Sequence, residues 1–334
     1  MMQISPETQL FIREHSSDDV RVLALQAKKY PDIDMPTAIT QIAGRKVAAE
    51  KIPSWWEIEK IWYPKHLSLE QCSSEITARY KARLLQGDSL TDLTGGFGID
   101  CSFLATGFKS ATYVERQEEL CEIAAHNFPV LNLNHINIKN EDGVTYLQAM
   151  SPVDCLFLDP ARRNEHGGKT VAISDCEPNV AELEELLLQK ANRVMIKLSP
   201  MLDLSLALKE LKQTQEVHIL SVNNECKELL ILLGQTSPAE ISIHCVNLFT
   251  KGTQKEQHFV FTREQEQCSE CTYTDSLETY LYEPNASLLK AGAFRSIAAA
   301  YPVRKLHPNS HLYTSDTFIE NFPGRIFLSL IHIS

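Results

Sequence analysis

At 334 residues the chain is longer than one ordinary hydrophobic core requires, so we expect two or three folded units. Its composition, 43% hydrophobic and 22% charged, is typical of a globular protein, and no apolar run is long enough to span a membrane. The net charge of −11 argues against binding nucleic acid through bulk electrostatics. That excess lies in residues 89–271, with 15 basic and 26 acidic side chains, so the balanced flanks are better candidates for contact with a polyanion.

The cysteine and histidine residues indicate the cellular compartment of the protein and whether it binds a metal ion. Nine scattered cysteines, without a signal-peptide pattern in the first thirty residues, predict reduced thiols and a cytoplasmic protein. Cys268 and Cys271 form a lone C-x-x-C, and the eleven histidines form no H-x-x-H or H-E-x-x-H motif. The sequence therefore predicts no bound metal, and it leaves the oligomeric state open.

Residues 1–85 predict a helical region. Apolar residues recur at three- and four-residue spacing in 20–27 and 38–49, and a further helix is predicted over 68–85. The tryptophan pair within 53–56 has two interpretations. A helix-end staple packed on the next domain is favoured over a docking surface.

The region 86–265 predicts an α/β core. Short apolar runs alternate with helical stretches from residue 89 onward, which indicates a doubly wound, mostly parallel sheet. The runs at 217–222 and 229–233 are joined by 223–227, which is too short for a parallel crossover, so one of them should run antiparallel. Five parallel strands ending in such a hairpin resemble the Rossmann-like, seven-stranded sheet of class I methyltransferases.

The region after the core predicts a small α+β unit. Two strands at 241–249 and 258–262 come before it, within the core region, and the polar stretch 263–274 predicts a linker. The unit itself consists of strands at 280–282, 311–314 and 326–330 and one helix at 286–300. The chain stops within an apolar run just as a strand begins, so we expect the natural chain to be longer.

The first candidate site is the glycine loop after the first strand. Glycine residues let the backbone approach a bulky ligand at the carboxyl end of a sheet. A nicotinamide fingerprint would need a glycine where Cys101 stands. Asp92, three residues before Gly95, instead matches the acid-x-x-glycine motif of methyltransferases, where it can meet the amino group of the methionine part. The predicted S-adenosylmethionine-binding residues of this loop are Asp92, Thr94, Gly95, Gly96, Phe97 and Gly98; the alternative is a tight turn without a ligand.

Acids at the next two strand ends extend this prediction. Glu115, followed by Arg116, lies 17 residues after Gly98, near the spacing at which a carboxylate reaches ribose hydroxyls. NAD and S-adenosylmethionine both offer that diol, and an acid favoured at a helix N-terminus is the alternative. Asp142 and Gly143 are predicted beside the adenine amino group, with a helix N-cap as the second role of Asp142.

The fourth strand ends in Asp159-Pro160-Ala161-Arg162, which resembles the D/N-P-P-Y/R motif of nucleic-acid and nitrogen methyltransferases. Proline stiffens the loop, and Asp159 can both border the methyl donor and hold a target nitrogen in line with it. Asp159, Pro160 and Arg162 are therefore predicted to be catalytic. Ala161 departs from the motif, and Arg162 replaces a stacking aromatic. Methyltransferases of uridine carbon share the arginine but need a cysteine after strand five, where 197–200 has none.

Further residues near this motif are candidates for substrate binding. Arg162, Arg163 and Lys169 can bind a phosphate or carboxylate from one long loop, and Ser199 would shape the far wall. Solvated loop arginines are the alternative.

Several segments together resemble bacterial class I methyltransferases of the THUMP-like group, known mainly from Bacteroidetes. They are 51–55, 70–75, the glycine loop, 159–162 and 280–285. The resemblance implies S-adenosylmethionine as cofactor, a ferredoxin-like unit at 275–317 and the start of a truncated THUMP-like domain at 318–334. Because THUMP domains bind RNA, it also implies RNA as a partner of the flanking domains.

The leading hypothesis is a methyltransferase that acts on a base nitrogen of RNA by direct in-line transfer. The alternatives are a non-catalytic RNA-binding module with a donor-binding core, a methyltransferase for small molecules or proteins, and an NAD-dependent oxidoreductase. The sequence leaves the RNA species and the methylated atom open.

Overall fold

A computed structural model describes residues 4–162, 172–236 and 238–329. The chain divides into two compact units. One comprises residues 1–158 with 189–191, and the other comprises 159–188 with 192–334. Within the described ranges, every helix is too short or too polar to cross a bilayer.

The first unit begins with the predicted helical region. Its helices are α1 (Pro6–Glu14), α2 (Val20–Leu25), α3 (Met35–Lys51), α4 (Pro53–Trp56), α5 (His66–Gln71) and α6 (Glu75–Ala82). Ser5 and Asp34 accept hydrogen bonds from backbone N–H groups at the starts of α1 and α3, as N-cap residues do. The prediction of one helix over 68–85 was wrong. The chain leaves the helix at Cys72, and Ser73 turns its hydroxyl to Asp100 instead of continuing the helical face.

A parallel sheet follows the helices of the first unit. Its elements are β1 (Ser89–Asp92), α7 (Ile99–Ala105), β2 (Ser110–Glu115), α8 (Glu118–Val130), β3 (Ile136–Asn140), α9 (Gly143–Ala149) and β4 (Val153–Leu158). In the parallel register Asp92 pairs with both Tyr113 and Phe157, and Glu115 pairs with Asn140. The carboxyl ends of these strands therefore meet at one edge, where the candidate acids lie.

The elements after Leu158 complete the sheet and form the C-terminal region. They are β5 (Ala161–Arg162), β6 (Cys176–Glu177), α10 (Val180–Lys190), β7 (Ala191–Leu198), α11 (Leu204–Glu210), β8 (Thr214–Val222), β9 (Glu225–Gly234), β10 (Ser242–Leu248), β11 (Glu256–Thr262), α12 (Arg263–Cys268), β12 (Tyr280–Pro284), α13 (Ala286–Ala291), α14 (Phe294–Ala300), β13 (Arg304–Lys305), β14 (Tyr313–Ser315) and β15 (Gly324–Leu328).

The large sheet has the strand order β3-β2-β1-β4-β7-β9-β8-β10-β11. Strand β9 runs antiparallel to both β7 and β8, which confirms the predicted hairpin. Asn223 and Asn224 form its tight turn at φ values of 49° and 66°, a region that asparagine tolerates better than most residues. The seven strands from β3 to β8 form the predicted class I methyltransferase sheet. Two strands extend it, with β10 parallel to β8 and β11 antiparallel to β10.

The C-terminal region forms a second, four-stranded sheet in the order β13-β14-β12-β15, so the predicted small α+β unit is confirmed. Two details of the prediction were wrong. The supposed linker contains helix α12, because Thr262 and Gln265 form a capping box that starts it. The supposed single helix over 286–300 is two helices, because Gly292 ends α13 in the left-handed region at φ 76°.

The tryptophan pair of α4 divides between core and solvent. Trp55 is 2% exposed and meets the ring of Phe97 edge-on, with centroids 5.2 Å apart. Trp56 is 42% exposed, and its ring lies 5.7 Å from the Arg45 guanidinium. The contact of Trp55 agrees with the favoured interpretation of this segment as a staple.

We expect Trp55→Ala to lower the free energy of unfolding by about 3–5 kcal/mol, because it leaves a large cavity beside Phe97. The matched control is Trp56→Ala on the same helix. It should lower the free energy of unfolding by no more than about 1 kcal/mol, because the exposed Trp56 ring makes mainly surface contacts. Urea unfolding of the two variants measures both. Equal losses would show that Trp55 does not anchor the helical region.

Candidate active site

The glycine loop is held against β2 by close packing. A Cβ atom on Gly95 would lie 2.2 Å from Cε2 of Tyr113, so the ring beneath the loop leaves no room for a side chain. Gly95 N–H donates to the Val114 carbonyl at 2.8 Å, and the Tyr113 hydroxyl donates to the Gly96 carbonyl at 2.5 Å. Burial, reinforced by the Glu115 carboxylate, raises the pKa of Tyr113 well above its usual value. The phenol therefore stays protonated and keeps donating to the loop.

Glu115 joins the end of β2 to the glycine loop. The residue is 8% exposed; Oε2 accepts the N–H of Gly96 at 2.9 Å and Oε1 accepts that of Gln117 at 2.8 Å. Each carboxylate oxygen has two acceptor positions, so each can accept one more hydrogen bond. Gly96 itself, at φ 53°, faces open space, since a Cβ there would meet only the Thr94 carbonyl at 3.8 Å. The loop thus presents a bare backbone beside a fixed carboxylate.

Asp92 and Asp142 shape the two turns that flank this carboxylate. Asp92 is 1% exposed, and its Oδ1 accepts the N–H of Thr94 at 3.0 Å. Asp142 is exposed, and its Oδ1 accepts the N–H groups of Val144 and Thr145, so the N-cap interpretation is confirmed. These bonds leave Oδ2 of Asp142 available to a ligand. The adenine role stays a prediction.

Other predicted loop residues lie differently. Gly143 is pressed against the loop, because a Cβ on it would lie 2.2 Å from the Leu93 carbonyl oxygen. The Phe97 side chain is buried in the core against Trp55, so only its backbone borders the loop. Arg116 is exposed, at the end of β2. Burial raises the pKa of the Cys101 thiol well above its usual value, which makes it a packing group and not a nucleophile.

A buried ion pair at the start of α7 was missed by the sequence analysis. Lys81 of α6 is fully buried, with Nζ 3.0 Å from Oδ1 of Asp100. Its ammonium donates to Oγ of Ser73 at 2.8 Å, and that hydroxyl donates to Oδ2 of Asp100 at 2.7 Å. Asp100 lies in the first turn of α7, two residues after Gly98. The available signal was Lys81 itself, four residues after Thr77 on the inward face of α6, because buried lysines are nearly always paired.

A second ion pair, in the other unit, involves the Asp-Pro motif. Nζ of Lys197 lies 2.5 Å from Oδ2 of Asp159; the lysine side chain is 9% exposed and the aspartate side chain 39%. Asp159 follows β4 directly, and Lys197 is the penultimate residue of β7. Pro160 is buried. Lys197 was missed as a site residue, because nothing in its local sequence indicates which strand end it faces.

The remaining predicted site residues are Arg162, Arg163, Lys169 and Ser199. The backbone of Arg162 pairs with Cys176 in a short antiparallel ladder. The predictions for Arg163 and Lys169 lie outside the described residues. Oγ of Ser199 accepts the N–H of Met201 at 3.2 Å, which shapes the turn after β7.

Comparison with known proteins identifies the family. Residues 280–323 match the model of a ferredoxin-like domain. A solved structure described as a "putative methyltransferase from Porphyromonas gingivalis W83" is 34% identical, with a TM-score of 0.84, and the match covers 98% of this chain and 83% of that one. The chain belongs to this class I methyltransferase family. The THUMP-like part of the resemblance is not confirmed, because the matched domain is the ferredoxin-like one.

Other solved structures are less similar to this chain. The modification subunit of a "putative type I restriction enzyme" from Vibrio vulnificus YJ016 is 11% identical, with a TM-score of 0.41, and the match covers 60% of this chain and 56% of that one. An rRNA methylase from Streptococcus thermophilus is 14% identical, with a TM-score of 0.34 and coverage of 48% and 93%. Likeness at this level carries no conclusion about activity. No curated protein matches the chain in sequence.

We expect Lys81→Met to lower the free energy of unfolding by about 3–5 kcal/mol, because the Asp100 carboxylate stays buried without its ammonium partner. The double variant Lys81→Met/Asp100→Leu should recover most of that loss, since it removes both charges. Lys109→Met is the matched control. Its pair with Asp88 is as short, at 2.9 Å, but exposed, so the cost should stay below about 1 kcal/mol. A double variant less stable than Lys81→Met would contradict this account.

Proposed function

We propose that the protein is an S-adenosylmethionine-dependent methyltransferase that transfers a methyl group in line to a base nitrogen of RNA. The observation that carries the proposal is the arrangement at the carboxyl ends of β1, β2 and β3. There Asp92, Glu115 and Asp142 surround a loop whose Gly96 N–H is bound by Glu115. Ligands of open α/β sheets bind at such strand ends.

The strand order favours this donor over NAD. A dinucleotide-binding Rossmann sheet has its strands in the order 3-2-1-4-5-6. Here antiparallel β9 lies between β7 and β8, as in class I methyltransferases. The position of the third glycine in the nicotinamide fingerprint is occupied by the buried side chain of Cys101. We therefore favour the methyltransferase over the oxidoreductase.

The residues at the loop fit the proposed donor. The open face of Gly96 gives a ligand access to the backbone, and the carboxylate of Glu115 has acceptor positions for two vicinal ribose hydroxyls. Asp92 would accept from the amino group of the methionine part, and Asp142 from the adenine amino group. When bound, S-adenosylmethionine supplies an electrophilic methyl group on a sulfonium. Three carboxylates at this edge also favour a cationic ligand electrostatically.

Asp159 is the proposed acceptor for the target base. Its half-exposed carboxylate would accept an N–H of the target and turn the nitrogen lone pair toward the methyl carbon. Attack by that lone pair on the methyl carbon would release S-adenosylhomocysteine, and the proton then lost from the nitrogen would pass to solvent water. Lys197 orients the carboxylate and compensates its charge, while buried Pro160 keeps the loop rigid. Positioning of this kind is worth several orders of magnitude in rate.

Two features support RNA as the substrate. The charge-balanced flanks can approach a polyanion that the acidic core would repel. The C-terminal region also exposes aromatic side chains. Phe327 on β15 is 44% exposed, with the Arg325 guanidinium 5.8 Å from its ring, and Phe318, between β14 and β15, is 55% exposed. Unstacked RNA bases bind to such aromatic and arginine surfaces. We propose the C-terminal region that carries β15, including Arg325 and Phe327, as the part that holds RNA. The division into 1–85, 86–265, 275–317 and 318–334 is retained as part of this proposal.

Donor binding tests the loop. We expect Glu115→Gln to weaken S-adenosylmethionine binding by about ten- to a hundredfold, because charged hydrogen bonds to the ribose are lost. Glu118→Gln, an exposed acid at the start of α8, is the matched control and should bind normally. Titration calorimetry with S-adenosylmethionine and with NAD measures this. Tight NAD binding without donor binding would overturn the cofactor assignment.

Methylation of RNA tests the Asp-Pro motif. Asp159→Ala should lower the rate by about a hundredfold or more, and Asp159→Asn by less, since an amide still accepts a hydrogen bond. Lys197→Met should also slow transfer. Lys227→Met is its control, because Lys227 forms an exposed pair with Glu225 at 2.6 Å. The assay is mass spectrometry of nucleosides in RNA from a strain that lacks the gene, before and after incubation with enzyme and donor.

The outcomes of that assay separate the alternatives. Unchanged methylation by Asp159→Ala would remove Asp159 from the mechanism. Donor binding without methylation of any RNA would favour a non-catalytic RNA-binding module, or a methyltransferase for a small molecule or protein, which the acidic core also suits.

A further inference from the structure

A cluster of histidines and one glutamate lies on neighbouring strands of the second unit. His218 on β8 and His244 on β10 are partners in the parallel register, and their rings stack with centroids 4.3 Å apart. Glu216 precedes His218 by two residues, so both side chains lie on the same face of β8. His258 on β11 completes the cluster, with Nε2 3.1 Å from Nδ1 of His244.

The distances within this cluster suit a shared metal ion. One ligand atom each from Glu216, His218 and His244 lies within 4.8 Å of the other two. The closest contacts are 3.2 Å, between Oε2 of Glu216 and Nε2 of His218, and 3.1 Å, between His244 and His258. Two ligands bound tetrahedrally at about 2.0–2.1 Å from a zinc ion are separated by roughly 3.4 Å. The rings of His218 and His244 are stacked, with an interplanar angle of 15°, so they would have to turn about their Cβ–Cγ bonds before their nitrogen lone pairs converge on one ion. His258 would join this group of three through its contact with His244.

The surroundings of the cluster hold its carboxylate in place. Nη2 of Arg193 lies 2.8 Å from Oε1 of Glu216, so this oxygen is bound to the guanidinium while Oε2 faces the histidines. Outer partners of this kind orient metal ligands in known sites. His218 is 2% exposed and His244 is half-buried, whereas His258 is exposed. An ion can therefore enter from the side of β11.

We propose that Glu216, His218, His244 and His258 bind one divalent transition-metal ion, with zinc as the best match to three imidazoles and a carboxylate. All four ligands come from the protein, which is typical of structural zinc sites. The ion would link β11, one of the two edge strands of the large sheet, to β10 and β8. This inference is independent of methyl transfer, since none of the four residues belongs to the proposed donor or target sites.

Zinc binding to the untagged protein tests this site. After treatment with EDTA and dialysis, calorimetric titration with Zn²⁺ should show one site per chain. Co²⁺ should give the visible absorption of a four-coordinate site. Zn²⁺ should also raise the melting temperature, and EDTA should reverse the rise, because an ion that binds the folded state stabilises it. A protein that takes up no stoichiometric Zn²⁺ would overturn the proposal.

Two variants and one control locate the ion. His258→Gln alters an exposed residue, so the fold should persist, and Zn²⁺ affinity should fall by more than about tenfold. His244→Gln should do the same. The control is His15→Gln, where Nδ1 lies 2.6 Å from Asp18 in a histidine–carboxylate pair of the N-terminal helical region. Its affinity should match the wild type. Unchanged binding in both cluster variants, with native melting curves, would overturn the assignment of these ligands.

Discussion

A carboxylate buried at the end of a strand has to find hydrogen-bond donors, and Glu115 finds them in the backbone of the next turn and of the glycine loop. This requirement joins β2 to the loop that follows β1. Tyr113 closes the same contact from beneath, with its ring against Gly95 and its hydroxyl on Gly96. The position of the loop, and with it the proposed donor site, depends on this pair of strand-end residues.

Two lysine–aspartate ion pairs differ in how far their carboxylates are exposed to solvent. This difference separates a pair that stabilises the fold from one that could contact a substrate. Lys81 and Asp100 are both buried. They form an ion pair with each other, and both are hydrogen-bonded to Ser73. Lys197 is nearly as buried, but its partner Asp159 remains more than a third exposed. A carboxylate held rigidly yet open to solvent can receive a substrate, whereas the enclosed one cannot. This contrast supports different roles for two pairs of the same chemistry.

Much of the fold follows from local patterns, and most of what was missed depends on long-range register. Alternating apolar runs and the short link at 223–227 were sufficient to predict the sheet and the antiparallel β9. The acids at strand ends could be placed for the same reason. Lys197 and the cluster of His218 and His244 could not, since strands distant in sequence bring them to their partners. The capping box at Thr262 was local and visible in the sequence.

The edge-on contact between Trp55 and Phe97 makes the glycine loop part of the core of the N-terminal helices. Linked equilibria are reciprocal. A ligand that orders this loop when it binds would therefore also stabilise α3 and α4. The reverse holds as well. If the helices packed less stably against Phe97, the affinity of the loop for a ligand would be lower. If the loop binds the proposed donor, the stability of the N-terminal helices therefore contributes to the free energy of that binding.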